Sequence, residues 1–135
     1  MDNSQLTPRT PTPDEYVTLR AAAGLSPFSR AAAELALPNT IFAVVIEEAG
    51  RAIGMGRLIG DGGCFFQIVD IAVDPAFQGR GLGKRIMAGL MAHVATLPKG
   101  AYVSLIADTP ADRLYAQFGF VATAPRSLGM AYRVK

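Results

Sequence analysis

The 135-residue chain has no tryptophan, one cysteine and one histidine. A single cysteine, Cys64, excludes an intrachain disulfide and fits a reducing compartment. With no Cys or His cluster near it, Cys64 reads as a packing or pocket-wall residue, and no metal site is expected. Net charge is small as well: 13 Lys and Arg against 11 Asp and Glu leave +2. No basic tract is concentrated outside one glycine-rich stretch, so the basic face with interleaved aromatics that nucleic acid requires is missing. No apolar run reaches the roughly 18 residues of a bilayer crossing, and the N-terminus lacks the basic-then-apolar order of a secretion signal. Neither nucleic acid nor a membrane is therefore expected as a partner, and the cytoplasm is the default compartment. Half of the residues are apolar and 18% are charged, the composition of a globular chain. One domain of this length buries about two-thirds of its unfolded surface.

The informative stretch is Asp70 to Lys84, DIAVDPAFQGRGLGK. Phe65 to Val73 is apolar except for Gln67 and Asp70, which predicts a central strand covered on both faces. Asp74-Pro75 ends it. Behind Gln78-Gly79-Arg80-Gly81-Leu82-Gly83, the residues Leu82, Ile86, Leu90 and Val94 recur every four positions, one stripe of an amphipathic helix. Strand, glycine loop and helix together make an anion site. The first N–H groups of a helix have no intrahelical partner, glycines let the backbone approach closely, and Arg80, Lys84 and Arg85 add positive charge. A diphosphate suits such a loop. Two common fingerprints fail, which counts against ATP and NAD: a P-loop would need Gly at Gln78 and a hydroxyl at Arg85, and GxGxxG would need Gly at position 84.

The stretch resembles motif A of the GNAT superfamily of N-acetyltransferases, in which a strand ending V-D-P is followed by Q/R-x-x-G-x-G/A and a helix. Gln78 to Gly83 fits at every position, and Leu114-Tyr115-Ala116-Gln117-Phe118-Gly119-Phe120 is similar to the family's L-Y-x-x-x-G-F signature. The resemblance spans roughly residues 41–120. It implies an α/β (α+β) GNAT fold: a mixed, mostly antiparallel sheet, splayed parallel strands four and five, and about four flanking helices. It also implies acetyl-CoA as co-substrate and no metal. The cofactor residues would be Ile71, Ala72, Val73, Gln78, Gly79, Arg80, Gly81, Leu82, Gly83, Lys84, Asp108 and Tyr115. Asp108 stands where the family often has Asn, so it keeps an acceptor oxygen and loses an amide donor.

Elsewhere the pattern sets the remaining elements. Residues 1–13, with Pro8, Pro11 and Pro13, read as a flexible lead-in in which a first strand is short or nearly missing. Residues 14–135 then form the single domain. A helix from Pro13-Asp14-Glu15 carries Tyr16, Leu19 and Ala23 up to Gly24, and a second runs from Arg30 to Leu37. Strands are expected at Ile41 to Glu47, Ala52 to Ile59 and Ala101 to Ala107, and a terminal hairpin at Phe120 to Thr123 with Met130 to Val134. Asp108-Thr109-Pro110 reads as the cap of a short helix. A homodimer through the terminal strands is compatible with this fold.

Acetyl transfer to an amine needs an oxyanion donor and a proton for the leaving thiolate. Backbone N–H groups near Ile71 to Val73 are candidates for the first, and the Tyr115 phenol for the second. Asp70 interrupts the most apolar strand, and a buried carboxylate needs a reason. It is either the base that takes the ammonium proton or a structural acid that orders neighbouring loops. On the acceptor side the candidates are Phe28 and Arg30, in the helix pair that the resemblance makes a pocket wall, together with Asp61 and Tyr132. Acids beside aromatics suit a small primary amine with an apolar or aromatic body. A non-catalytic acyl-CoA sensor acting through a protein partner is the alternative.

Overall fold

In the computed structural model, which describes residues 2–135, five strands lie side by side in chain order: β1 (Gln5–Thr7), β2 (Phe42–Glu48), β3 (Arg51–Gly60), β4 (Phe65–Val73) and β5 (Tyr102–Ser104). The links explain the order. Ala49 and Gly50, both at positive φ (52° and 74°), make the two-residue turn that suits a hairpin between β2 and β3. A short turn closes β3 onto β4, so the first four strands are antiparallel neighbours. β5 is parallel to β4, which demands a crossover, supplied by helix α3 (Leu82–Val94). The chain forms two compact units, Met1–Leu105 and Ile106–Lys135. The sheet belongs to the first.

Helices α1 (Pro13–Ala22) and α2 (Arg30–Ala36) cover one face, where Tyr16, Leu19, Ala33 and Leu37 pack with Met55 and Ala72. α3 covers the other. On β3 the neighbours of Met55 are glycines: a Cβ on Gly56 would stand 2.5 Å from Ile86 Cγ2, and one on Gly54 would stand 3.2 Å from Ile86 Cδ1. Glycine at these two positions is what lets α3 sit down on the sheet. The stripe Leu82, Ile86, Leu90 is buried there with Met87. α1 starts with a capping box, Thr12 Oγ1 accepting from Glu15 N–H and the Glu15 carboxylate accepting from Thr12 N–H. Arg9 donates to both Glu15 oxygens and to Glu47 at 3.1 Å, which ties the chain before α1 to β2.

Several expectations are corrected. The strands covered on both faces are β2, buried from Ala43 to Ile46, and β3, buried from Ile53 to Leu58, while β4 is buried only at Phe66, Ile68 and Ala72. β5 pairs with β4 over Phe65, Phe66 and Gln67 alone, so it is three residues long rather than seven. Cys64 is exposed in the β3–β4 turn instead of packed. In the second unit, α4 (Asp112–Ala116) begins after Ala111 with no side-chain cap, because Thr109 to Ala111 turn first and leave Asp108 four residues ahead of the helix. The terminal hairpin does not form: residues 120–135 hold no strand, and Val121, Met130, Tyr132 and Val134 are almost fully exposed. Alternation alone does not hold two strands together without a partner or a covered face. Among the described residues no helix is long and apolar enough to cross a membrane, and no group of three His, Cys, Asp or Glu side chains could hold a metal ion.

Candidate active site

The glycine loop runs from the end of β4 into α3. Asp74 anchors its start: its N–H donates to the Ile53 carbonyl at 2.8 Å, and its carboxylate accepts from Ala76 N–H at 2.9 Å and pairs with Arg51. Gly79 (φ 84°) and Gly81 (φ 74°) then take left-handed conformations that a side chain resists. A Cβ on either would meet nothing within 4 Å. The space around the loop is open, so backbone angle and not crowding explains the glycines. Gly81 is the N-cap of α3 and brings no side chain to its first N–H groups. Arg80 is held by Glu48 at 3.0 Å with its guanidinium 5.0 Å from the Phe77 ring, Lys84 is exposed, and Arg85 donates to Ser4 Oγ at 2.6 Å. Uncapped donors at a positive helix end, open space and nearby cations are what a diphosphate requires.

Alongside the loop, β4 has an unpaired edge. β5 accompanies it only as far as Gln67, so among the described residues no strand lies beside the β5-facing edge from Ile68 to Val73. Successive N–H groups on a strand point to opposite edges. Because Asp74 N–H turns toward β3, so does that of Ala72, and those of Ile71 and Val73 face the open edge. Just before them the strand bulges. β3 and β4 change register between Met55, opposite Ala72, and Arg57, opposite Val69, and Asp70 takes φ 60°.

The Asp70 side chain is 5% exposed and fully engaged. Oδ1 accepts from the Tyr16 hydroxyl at 2.9 Å and from Arg20 Nη1, and Oδ2 accepts from Arg57 Nη1 at 2.7 Å. Arg57 also donates from Nε to Thr40 Oγ1 and from Nη2 to the Ala36 carbonyl, and Arg20 donates from Nε and Nη2 to the Ser26 carbonyl. Burial, and then the Asp70 charge, push the Tyr16 phenol above its usual pKa. Tyr16, Arg20 and Arg57 were missed by sequence reasoning. Arg57 carried a readable signal, a charge inside the apolar run Ala52 to Ile59, of the same kind that singled out Asp70.

The other candidates fall in three places. Phe28 lies over the Arg20 guanidinium at 4.8 Å, and Arg30 pairs with Asp14 and with Glu34 on the exposed side of α2. Asp61 sits at the far end of β4, where Oδ1 accepts from the N–H groups of Gly63, Cys64 and Phe65 and its carboxyl is lowered by them. Phe65 is roughly 25 Å along the strand from Val73, so Asp61 is not brought to the loop end. Asp108, Tyr115 and Tyr132 belong to the unit Ile106–Lys135. There burial, and then the neighbouring Asp108 charge, raise the Tyr115 phenol above the ordinary tyrosine value, while Tyr132 is exposed. His93 is stacked on Phe42 with ring centroids 4.3 Å apart, away from the loop on α3.

Residues 16–129 match the description "Acetyltransferase (GNAT) domain". A crystal structure of a probable acetyltransferase from meticillin-resistant Staphylococcus aureus has 48% identity and TM-score 0.92, over 97% of this chain and 99% of that one. "GCN5-related N-acetyltransferase 1, chloroplastic" of Arabidopsis thaliana is 31% identical over 122 residues, 88% of this chain and 61% of that protein. "Histone acetyltransferase TAP1" of Glycine max is 35% identical over 83 residues, 62% of this chain and 36% of that protein. The chain thus spans between about a third and three-fifths of the length of these curated relatives.

Proposed function

Because the chain belongs to the GNAT acetyltransferase family, we propose that it is an acetyl-CoA-dependent N-acetyltransferase acting on a primary amine of a small molecule by direct transfer. The observation that carries this reading is the adjacency of an uncapped α3 N-terminus and the free β4 edge at Ile71 and Val73. Gln78 to Gly83, with Arg80 and Lys84, would hold the diphosphate. Backbone groups of Ile71 to Val73 would pair with the amides of the pantetheine arm as an added strand does, and Asp108 would offer that arm an acceptor. The co-substrate brings the acetyl thioester.

In this reading a neutral amine nitrogen forms the new C–N bond as the C–S bond breaks, and the proton that the acylated nitrogen sheds passes to solvent water, which restores the Tyr115 phenol. N–H groups at the open edge donate to the acyl oxygen as it gains negative charge. Tyr115 gives its proton to the departing sulfur. Its raised pKa keeps the phenol protonated throughout the neutral range, which is the form an acid needs. Three donors on the Asp70 carboxylate support its ordering role over a role as base. Phe28 and Tyr132 stay as candidates for the acceptor's apolar body, with Asp61 a weaker candidate for attracting its amine and Arg30 a weaker one for the pocket wall. We place the activity in the cytoplasm and take neither nucleic acid nor membrane as a partner. A homodimer is compatible with the reading, and light scattering would detect one.

CoA release, followed with a thiol reagent over aryl-alkyl amines, polyamines, amino acids, aminoglycosides and a lysine peptide, tests the reading. Thermal scans with acetyl-CoA, ATP and NAD accompany it, since a ligand at 100 times its Kd stabilises by about 2.7 kcal/mol. Stabilisation by acetyl-CoA alone with turnover on a small amine is expected, and Tyr115→Phe should lower kcat. Turnover confined to the peptide would move the acceptor to a protein lysine, in line with the Glycine max relative named a histone acetyltransferase. Stabilisation without turnover on any amine would favour the acyl-CoA sensor, and none by acetyl-CoA would contradict both.

A further inference from the structure

One extra residue decides which backbone donors β4 offers at its open edge. The Cys64 carbonyl accepts from Tyr102 N–H at 2.8 Å, so at the start of β4 the even-numbered residues face the β5 side. At its end Asp74 N–H goes to Ile53 on the β3 side, so there the odd-numbered Ile71 and Val73 face the open edge. The parity changes at Asp70, where Asp70 and Ile71 together stand against Gly56. Without that bulge the donor at position 72 would face the gap instead.

The bulge has Asp70 at φ 60°, a left-handed conformation that a residue with a Cβ adopts only at a cost. Its side chain is gripped by three donors from two elements: Tyr16 and Arg20 on α1, and Arg57 on β3. Arg57 and Arg20 are themselves fixed through Thr40, Ala36 and Ser26. Charge-assisted bonds from two buried guanidinium groups are the strong kind, and together they select one backbone conformation out of several. We propose that Arg57, Arg20 and Tyr16 are positioning residues: by holding the Asp70 carboxylate they keep the bulge in place and so aim the Ile71 and Val73 N–H groups into the open edge. The catalytic part of this inference rests on the proposed function, in which those N–H groups meet the acyl oxygen. The backbone part does not.

The test uses the full chain with Arg57→Lys, which keeps the charge and loses the fork, and Asp70→Asn, which keeps size and left-handed tolerance and loses the charge. Tyr16→Phe removes only the neutral donor. Residue-resolved amide exchange on the ligand-free protein gives the first readout. Wild type should protect Ala72 and Asp74 and leave Ile71 and Val73 fast, and Arg57→Lys and Asp70→Asn should lose that alternation, with Tyr16→Phe between. The second readout is kinetic: kcat should fall at least about tenfold in both charged-pair variants, with KM for acetyl-CoA within about twofold and the pH profile unmoved. An unchanged alternation in folded Arg57→Lys and Asp70→Asn overturns the proposal. Loss of the acidic limb of the pH profile in Asp70→Asn also overturns it and makes Asp70 a base. Should the wild type acetylate no amine, the proposed function fails while the exchange pattern still decides the positioning role.

Discussion

The two ends of β4 solve the same problem in opposite ways. At the Phe65 end every neighbour is backbone or close to it: β3 on one side, β5 on the other, and the Asp61 carboxylate closing the turn with three N–H groups of the next four residues. At the Val73 end there is no strand on one side, and the main chain is shaped by side chains reaching in from α1 and β3. The difference teaches that on a strand laddered along one edge alone, a bulge chooses which donors face the open edge, and side chains can hold that bulge. Here they hold it through a buried carboxylate between two arginines.

The contrast is broken most severely by Asp70→Ala, which leaves Arg20 and Arg57 buried without their acid. Removing one partner of a buried pair costs about 3–5 kcal/mol, and urea denaturation should show a loss of that size or an unfolded chain. Gly56→Ala attacks the same end from the α3 face, because its Cβ would collide with Ile86 and approach Ile71 Cδ1 at 2.8 Å. Overpacking of this kind costs about 1–3 kcal/mol, measurable in the same denaturation series. Asp61→Ala touches the other end, where the carboxylate is exposed. Less than half the midpoint shift of Asp70→Ala is expected. The smallest effect lies off β4 altogether. Arg9 holds the Glu15 carboxyl down at about 2, against 4.5 ordinarily. That contribution is complete above the unfolded value and fades as pH falls from about 4.5 toward 2, so acid titration of Glu15→Gln should show a flatter decline than wild type across that window.

The loop end was legible in the sequence because its determinants are local. Glycines at 79, 81 and 83 and the four-residue stripe from Leu82 need no distant partner to be read, and both fell where expected. Asp70 was legible as a charge in the wrong place, but its partners were not: Tyr16 and Arg20 lie 54 and 50 positions away, and nothing in a helix pattern says which face will meet a bulge. The bulge itself is hidden because Phe65 to Val73 is apolar at both parities, so a one-residue slip leaves no mark in the alternation. The last strands failed for the opposite reason. Met130 to Val134 alternates well, yet alternation describes a strand that has found a partner, and residues 120–135 form none.

Residue-resolved amide exchange of the wild-type chain with and without saturating acetyl-CoA is the most direct measurement. Slowed exchange at Ile71 and Val73, and at the first N–H groups of α3, with Phe65 to Gln67 unchanged, is the predicted result. Unaltered exchange at Ile71 and Val73 while acetyl-CoA is bound would contradict the assignment of the open β4 edge as the place where the acetyl donor lies.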